Sequence, residues 1–349
     1  MRRDRPKRCA HRFWSVRASA RSYGDPVQTN VRLQMGQISM TTRLGEILGA
    51  VASLALAVAL PDVGAAEGTV TKHQQAVLVT GASTGIGRKI TERLAANGYF
   101  VYATARKDED LKALGAIKNV QAVRLDVTKS QDIDAAVEMI TKAGRGLYGL
   151  VNNAGVVTLG SVADTKWDEF DLVMGVNVYG PYRVTKAFEP LITASKGRIT
   201  TIGSVSGILA RANFSAYSMS KHAMEALTDS LAQELAPLGV QVSVIEPGSY
   251  ASEAVSNLAK RTGVELRSTD LSAEKPPDEV ADAVEKALFE PNPKRRYMVV
   301  PNQRQAENTI KKQIEQLVQL NEGQPYTYDR DTLIKMLDEA LSTARPRTK

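Results

Sequence analysis

Gln75-Ala76-Val77-Leu78-Val79-Thr80-Gly81-Ala82-Ser83-Thr84-Gly85-Ile86-Gly87-Arg88-Lys89-Ile90 is the stretch that decides the fold. A short apolar run, Ala76 to Thr80, enters a glycine-rich turn. The chain then takes up helical spacing, with Ile90, Leu94 and Ala95 on one face. Glycines allow a tight turn and let the backbone approach a pyrophosphate. The helix N-terminus offers that anion free N–H groups and a positive dipole end. The spacing is G-x-x-x-G-x-G, not the G-x-G-x-x-G of the ordinary dinucleotide fingerprint.

Outward from this unit, short apolar runs alternate with amphipathic stretches. Residues 100–104, 120–124, 150–152, 198–202, 240–245 and 297–300 read as buried strands. Stretches 86–97, 108–114, 130–143, 165–193, 213–236 and 278–289 read as helices. Such alternation predicts an α/β fold: a doubly wound, parallel, seven-stranded sheet with helices on both faces, reached by right-handed crossovers. Residues 303–320 and 330–343 add a C-terminal helical extension. The expected organisation is a basic N-terminal segment (1–70), a catalytic domain (74–301) and that extension (302–349).

Composition narrows the function. The 349 residues are 43% hydrophobic and 24% charged, values of a globular chain rather than a disordered, collagen-like or polytopic membrane one. One cysteine, Cys9, excludes a disulfide framework or a multi-cysteine metal site. The three histidines, His11, His73 and His222, form no zinc pattern. The net charge of +7 lies wholly in residues 1–40, which hold nine basic and two acidic residues. The rest is balanced at 36 of each, so nucleic acid is not the expected partner.

Ile47–Leu60 is a fourteen-residue uncharged run, preceded by Arg43 and followed by the small residues Gly64-Ala65-Ala66. From Met40 this is the layout of a secretory signal; it is short for a membrane span. A signal, an uncleaved anchor and a packed apolar helix are the three readings. Residues 1–39 do not fit a signal starting at Met1, so Met35 or Met40 is the expected start.

The glycine turn, with the pieces that follow it in order, resembles the classical short-chain dehydrogenase/reductase family, whose signature here is T-G-x-x-x-G-x-G. The resemblance covers about residues 74–301 and implies a bound nicotinamide dinucleotide. On the first turn it assigns Gly81, Ser83, Thr84, Gly85, Ile86 and Gly87 to the cofactor. Asp126, after the third strand, stands where the family hydrogen-bonds the adenine. Asn152-Asn153-Ala154-Gly155 follows the fourth strand, where the family braces the sheet and lines the cofactor. Pro247-Gly248 follows the sixth, near the family's nicotinamide position, with Ser252 at a place usually taken by Thr. NAD-using relatives carry an acid at the end of the second strand for the ribose 2′-OH. Here Ala105 stands at that place and Arg106 follows, a guanidinium suited to a 2′-phosphate. The expected cofactor is NADP(H) in preference to NAD(H).

Two Tyr-x-x-x-Lys matches occur, Tyr182…Lys186 and Tyr217…Lys221. Among eleven tyrosines about 0.6 are expected by chance, so surroundings decide. Ser204 lies thirteen residues before Tyr217, the family's Ser–Tyr spacing, whereas Glu169 holds that place before Tyr182. Asn177 lies in the preceding long helix, where the family places its fourth catalytic residue. The chemistry explains these types. Hydride transfer to a ketone builds negative charge on oxygen, and that oxygen must receive a proton. A phenol near 10 is a poor base at neutral pH; the Lys221 ammonium, one turn along, is expected to favour phenolate and lower Tyr217. Ser204 can orient the carbonyl oxygen. Tyr217 and Lys221 also belong to the cofactor site, since lysine has donors to spare for the nicotinamide ribose. By resemblance Asn177 fixes a water that links Lys221 to solvent.

The expected activity is NADP(H)-dependent interconversion of a carbonyl and an alcohol. Sugar epimerases of the same superfamily have T-G-x-x-G-x-x-G and a longer C-terminal domain, and enoyl reductases space Tyr and Lys further apart. A nucleotide-binding regulator or interaction protein without turnover is the alternative. Residues 249–277 are long for a loop and are expected to form a substrate lid with some helix. The block Val101–Arg106 looks like that of steroid-, retinol- and acyl-dihydroxyacetone-phosphate-type reductases, which implies a lipophilic substrate. Assembly is expected as a homodimer or homotetramer. NADPH supply favours membrane association through 47–60 with a cytoplasm-facing catalytic domain, then a cytoplasmic location, then export.

Overall fold

The computed structural model describes residues 75–262 and 274–343. Ile47–Leu60, the proposed start sites, Cys9, His11 and His73 lie outside the described residues. Seven strands, β1 (Ala76–Val79), β2 (Phe100–Ala105), β3 (Val120–Arg124), β4 (Gly149–Asn152), β5 (Arg198–Ile202), β6 (Gln241–Pro247) and β7 (Arg296–Val299), form one sheet in the order β3-β2-β1-β4-β5-β6-β7. Every pair is parallel. The order reverses between β1 and β4, and the crevice beyond the carboxyl ends of these strands is where ligands bind in open parallel sheets.

β1 reads as an unbroken apolar run because both of its faces are covered. Alternate β1 residues serve opposite cores. Val77 and Val79 pack with Ile90 and Leu94 of α1 (Gly85–Ala96), Leu114 of α2 (Asp108–Gly115) and Val280, Val284 and Leu288 of α8 (Asp278–Phe289). Ala76 and Leu78 pack with Ile133 and Ile140 of α3 (Ser130–Lys142), Phe188 and Ile192 of α5 (Gly180–Ala194) and Ala232 and Leu235 of α6 (Ser215–Leu235). The C-terminal extension is α9 (Gln303–Asn321) and α10 (Arg330–Thr343). Among the described residues no helix is long and apolar enough to cross a membrane.

The expected helix over 165–193 differs in one respect. It is α4 (Trp167–Met174), a π-helical turn over Gly175–Tyr179, and then α5. Pro181 has no N–H to return to the Asn177 carbonyl, so regular pairing fails here. Gly180 lets the helix approach β3's exit loop: a Cβ there would lie 2.8 Å from Val127 Cγ2. The widened turn carries Asn177, and turns of this kind occur frequently at functional sites. The expected lid contains α7 (Glu253–Thr262); residues 263–273 lie outside the described set.

Candidate active site

The turn between β1 and α1 needs its glycines. Gly81 and Gly85 have φ of +63° and +55°, the left-handed region that disfavours side chains. A Cβ on Gly87 would lie 2.3 Å from both Asn153 Nδ2 and the Gly81 carbonyl oxygen. That closeness follows from bracing by the loop after β4. Asn153 Nδ2 donates to the Thr80 and Gly81 carbonyls at 2.8 and 3.0 Å. The Thr80 hydroxyl accepts from the Asn153 and Ala154 amides at 2.9 and 3.0 Å. No side chain caps the start of α1, and its first turn holds no acid. The cradle and the open helix end therefore fit a pyrophosphate. Gly87→Ala should lower the melting temperature through a backbone clash costing about 1–3 kcal/mol; an unchanged melting curve would contradict this packing.

At the end of β2, Ala105 is buried and Arg106 is exposed, with no ion pair of its own among the described residues. The next strand's exit places Asp126 nearby. Burial would raise the Asp126 carboxyl, but two hydrogen bonds from Thr128 and the Arg106 charge hold it below its ordinary value. Arg106 and Asp126 thus share one edge of the crevice. Ser83, Thr84 and Ile86 occupy the turn itself; Ile86 also packs against the core.

The proposed catalytic residues come from three elements. Ser204 follows β5 and caps a short 3₁₀ turn, Val205–Gly207, by accepting from the Ser206 amide at 3.0 Å. Tyr217 and Lys221 occupy successive turns of α6. The Tyr217 phenol hydrogen-bonds with Ser204, and the Lys221 Nζ is 5.7 Å from the phenol ring centroid. Asn177 is locked in the π-helical turn: its Oδ1 accepts from Val156 N and its Nδ2 donates to Val156 O, each at 2.8 Å. The same Nδ2 donates to the Ser220 hydroxyl at 3.0 Å. A Cβ on Gly155 would sit 3.5 Å from Asn177 Oδ1 and 3.9 Å from Lys221 Nζ, so these groups converge on one spot. Tyr182 and Lys186, the competing pair, are exposed on α5. His222 is exposed and contacts its own helix through Ser218 O.

One electrostatic expectation differs. Burial pushes the Tyr217 phenol above its ordinary value, and the Ser204 hydrogen bond opposes this. Lys221 is itself pushed down to about 8 by burial, against the pull of Glu225. Its Nζ donates to the Ile202 carbonyl at 2.9 Å. Spacing along a helix reports proximity; it does not report how much water packing removes.

The end of β6 completes the crevice. Ser252 Cβ lies 3.6 Å from a Cβ built on Gly85, so the loop after Pro247-Gly248 reaches the glycine turn. Gln305 of α9 accepts from Ser249 N at 2.9 Å and fills the place a Gly248 side chain would take, with its Oε1 2.2 Å from that Cβ. Helix α7 is tied down by Arg261, which donates to both Glu169 carboxylate oxygens at 2.9 and 2.8 Å and to Val157 O at 2.9 Å. Sequence reasoning missed Gln305, the Arg261–Glu169 clamp and an acid pair, Glu225 and Glu246. Only the last left a signal, an acid within the buried run Val242–Pro247.

Comparison with known proteins agrees with this architecture. The family model described as short chain dehydrogenase matches residues 75–263, more than half of the chain, and the chain belongs to that family. It is 40% identical over 186 residues to mitochondrial D-beta-hydroxybutyrate dehydrogenase of Bos taurus, covering 50% of this chain and 54% of that protein. It is 40% identical over 191 residues to retinol dehydrogenase 5 of Homo sapiens, covering 52% and 58%. The chain thus spans little more than half the length of these relatives. A metagenomic short-chain oxidoreductase solved with NADP superposes with a TM-score of 0.54 at 31% identity, covering 66% of this chain and 98% of that one. Solved structures similar to this chain hold NADP or NADH.

Proposed function

We propose that the protein is an NADP(H)-dependent oxidoreductase that interconverts a carbonyl and an alcohol, on a lipophilic substrate. The observation that carries this reading is the convergence of Ser204, Tyr217, Lys221 and Asn177 beside Gly155, next to a glycine cradle fit for a dinucleotide. Gly81, Ser83, Thr84, Gly85, Ile86 and Gly87 hold the pyrophosphate; Asp126 and Arg106 hold the adenosine half; Asn153, Ala154, Gly155, Pro247, Gly248 and Ser252 line the nicotinamide side. When bound, the nicotinamide supplies or accepts the hydride. The chain's own residues handle the proton and the oxygen. Ser204 donates to the carbonyl oxygen and orients it. Tyr217, held protonated by burial, delivers its proton to that oxygen as negative charge builds. Charged Lys221 beside the phenol stabilises the phenolate left behind. Because Lys221 titrates near 8, its charged fraction, and with it ketone reduction, should fall as pH rises through that value.

The lipophilic choice is supported by the retinol-type relative. The test is turnover with NADPH across a panel of ketones, with the alcohols and NADP+ in reverse. Nucleotide binding without any turnover would favour the regulator reading instead.

We propose membrane association through residues 47–60, which makes removal of residues 1–70 informative. The truncated protein should stay folded and active, because β1 begins at Ala76 and no proposed site residue precedes it. If the segment anchors, full-length protein should sediment with membranes and the truncated form should not. Aggregation or a lowered melting temperature on truncation would mean that the segment packs on the domain.

A further inference from the structure

Half-buried Glu225, whose Oε1 is buried, and buried Glu246 form an acid pair behind the proposed catalytic residues. Glu225 lies one turn beyond Lys221 on α6. Its Oε1 is 3.0 Å from a Cβ built on Gly207 and 3.2 Å from one on Gly203, so it sits beneath the turn that presents Ser204. Glu246 precedes Pro247-Gly248 in β6 and is 2% exposed. The pair therefore touches the Ser204 turn, the Lys221 helix and the loop that closes the crevice.

Protonation follows from what the carboxyls face. The two carboxyls meet at one guanidinium, that of Arg296, so their like charges face each other. Oε1 of each is buried and accepts no hydrogen bond. The facing charges are few. From β7, Arg296 Nε lies 3.2 Å from Glu225 Oε2 and 3.7 Å from Glu246 Oε1, while its Nη2 is 2.7 Å from Asp229 on α6. Arg295 reaches only Asp229, at 3.9 Å. From α6 itself Lys221 faces Glu225. The cavity of about 590 Å³ beside the pair is lined from α9 by Thr309, Ile310 and Gln313, which bring no charge. Arg296 thus serves three acids, and burial disfavours two full charges on the pair.

We propose that Glu225 and Glu246 share one proton and act as positioning residues for Lys221, setting how much of that lysine is charged. Its catalytic consequence rests on the function proposed above; the shared proton does not. The two isosteric amides push in opposite directions. In Glu225→Gln the carboxyl nearer Lys221 loses all charge, so Lys221 should titrate lower. In Glu246→Gln the new amide donates to Glu225, which becomes a full carboxylate, and Lys221 should titrate higher. Each shift should be on the order of one pH unit.

The experiment uses the full chain with lysines labelled at Cε and follows Lys221 by NMR across pH. Infrared spectra of glutamate-labelled protein are recorded alongside. Opposite shifts, with a protonated carboxyl band at neutral pH that both variants lose, support the pair. Shifts of one sign, no shift, or no such band in the parent protein overturn it. Neither readout needs turnover, so absence of ketone reduction would sink the proposed activity while these results still decide the proton. Where reduction is measured, the alkaline limb of its pH profile should move with Lys221 in each variant; a fixed limb would overturn the catalytic consequence. If one amide variant fails to fold, the parent's carboxyl band and the other variant's shift remain decisive.

Discussion

Tyr217→Phe should cut ketone reduction with NADPH by about 10²–10⁴-fold, the usual contribution of a positioned acid, while NADPH still binds. The change removes one hydroxyl and no ring contact. Ser204 loses a partner yet keeps the Ser206 amide, at 3.0 Å. The stability cost should therefore stay within about 0.5–1.5 kcal/mol, and the melting temperature should barely move. Tyr182→Phe is the matched control, because Tyr182 is 59% exposed and lies on a different helix. Equal losses in the two variants would mean that the wrong Tyr–Lys pair had been assigned. Loss of NADPH binding together with activity in Tyr217→Phe would give Tyr217 a structural role. A ketone reduced at an undiminished rate would remove it from the proton path.

What the sequence made legible follows from how each feature is encoded. A strand buried on both faces tends to be apolar at consecutive positions, so Ala76–Val79 stands out. Gly81, Gly85 and Gly87 are legible because their backbone angles and close contacts exclude a side chain. The π-helical turn at Gly175–Tyr179 is not, since apolar spacing runs through it; Pro181 marks it only once Asn177's partners across the fold are known. The acid pair is hidden for a different reason. Glu225, Glu246 and Arg296 are remote in sequence and meet only because β6 lies beside β7 with α6 packed against them. Helical spacing reports the charge next to Tyr217, whereas packing sets the larger desolvation that raises its phenol.

Arg106→Ala should weaken NADP(H) about ten- to a hundredfold and leave NAD(H) nearly unchanged, because a charge-assisted contact contributes roughly 1.5–3 kcal/mol. Arg106 is exposed and in no ion pair among the described residues, so its removal disturbs no packing. Adding Ala105→Asp extends the test. Its carboxylate should repel a 2′-phosphate and accept from a 2′-OH, carrying preference toward NAD(H). The structure attaches a condition, however. Ala105 is 4% exposed and packs within the core that holds Leu114, so the new charge is buried unless the ribose reaches it. The double variant should therefore melt lower than the parent without nucleotide and recover more with NAD than with NADP. Equal affinity of the parent for both nucleotides would refute the assignment of Arg106 outright. A double variant stabilised equally by both would place the selectivity elsewhere in the crevice, with Asp126 and the Thr128 loop the next residues to change.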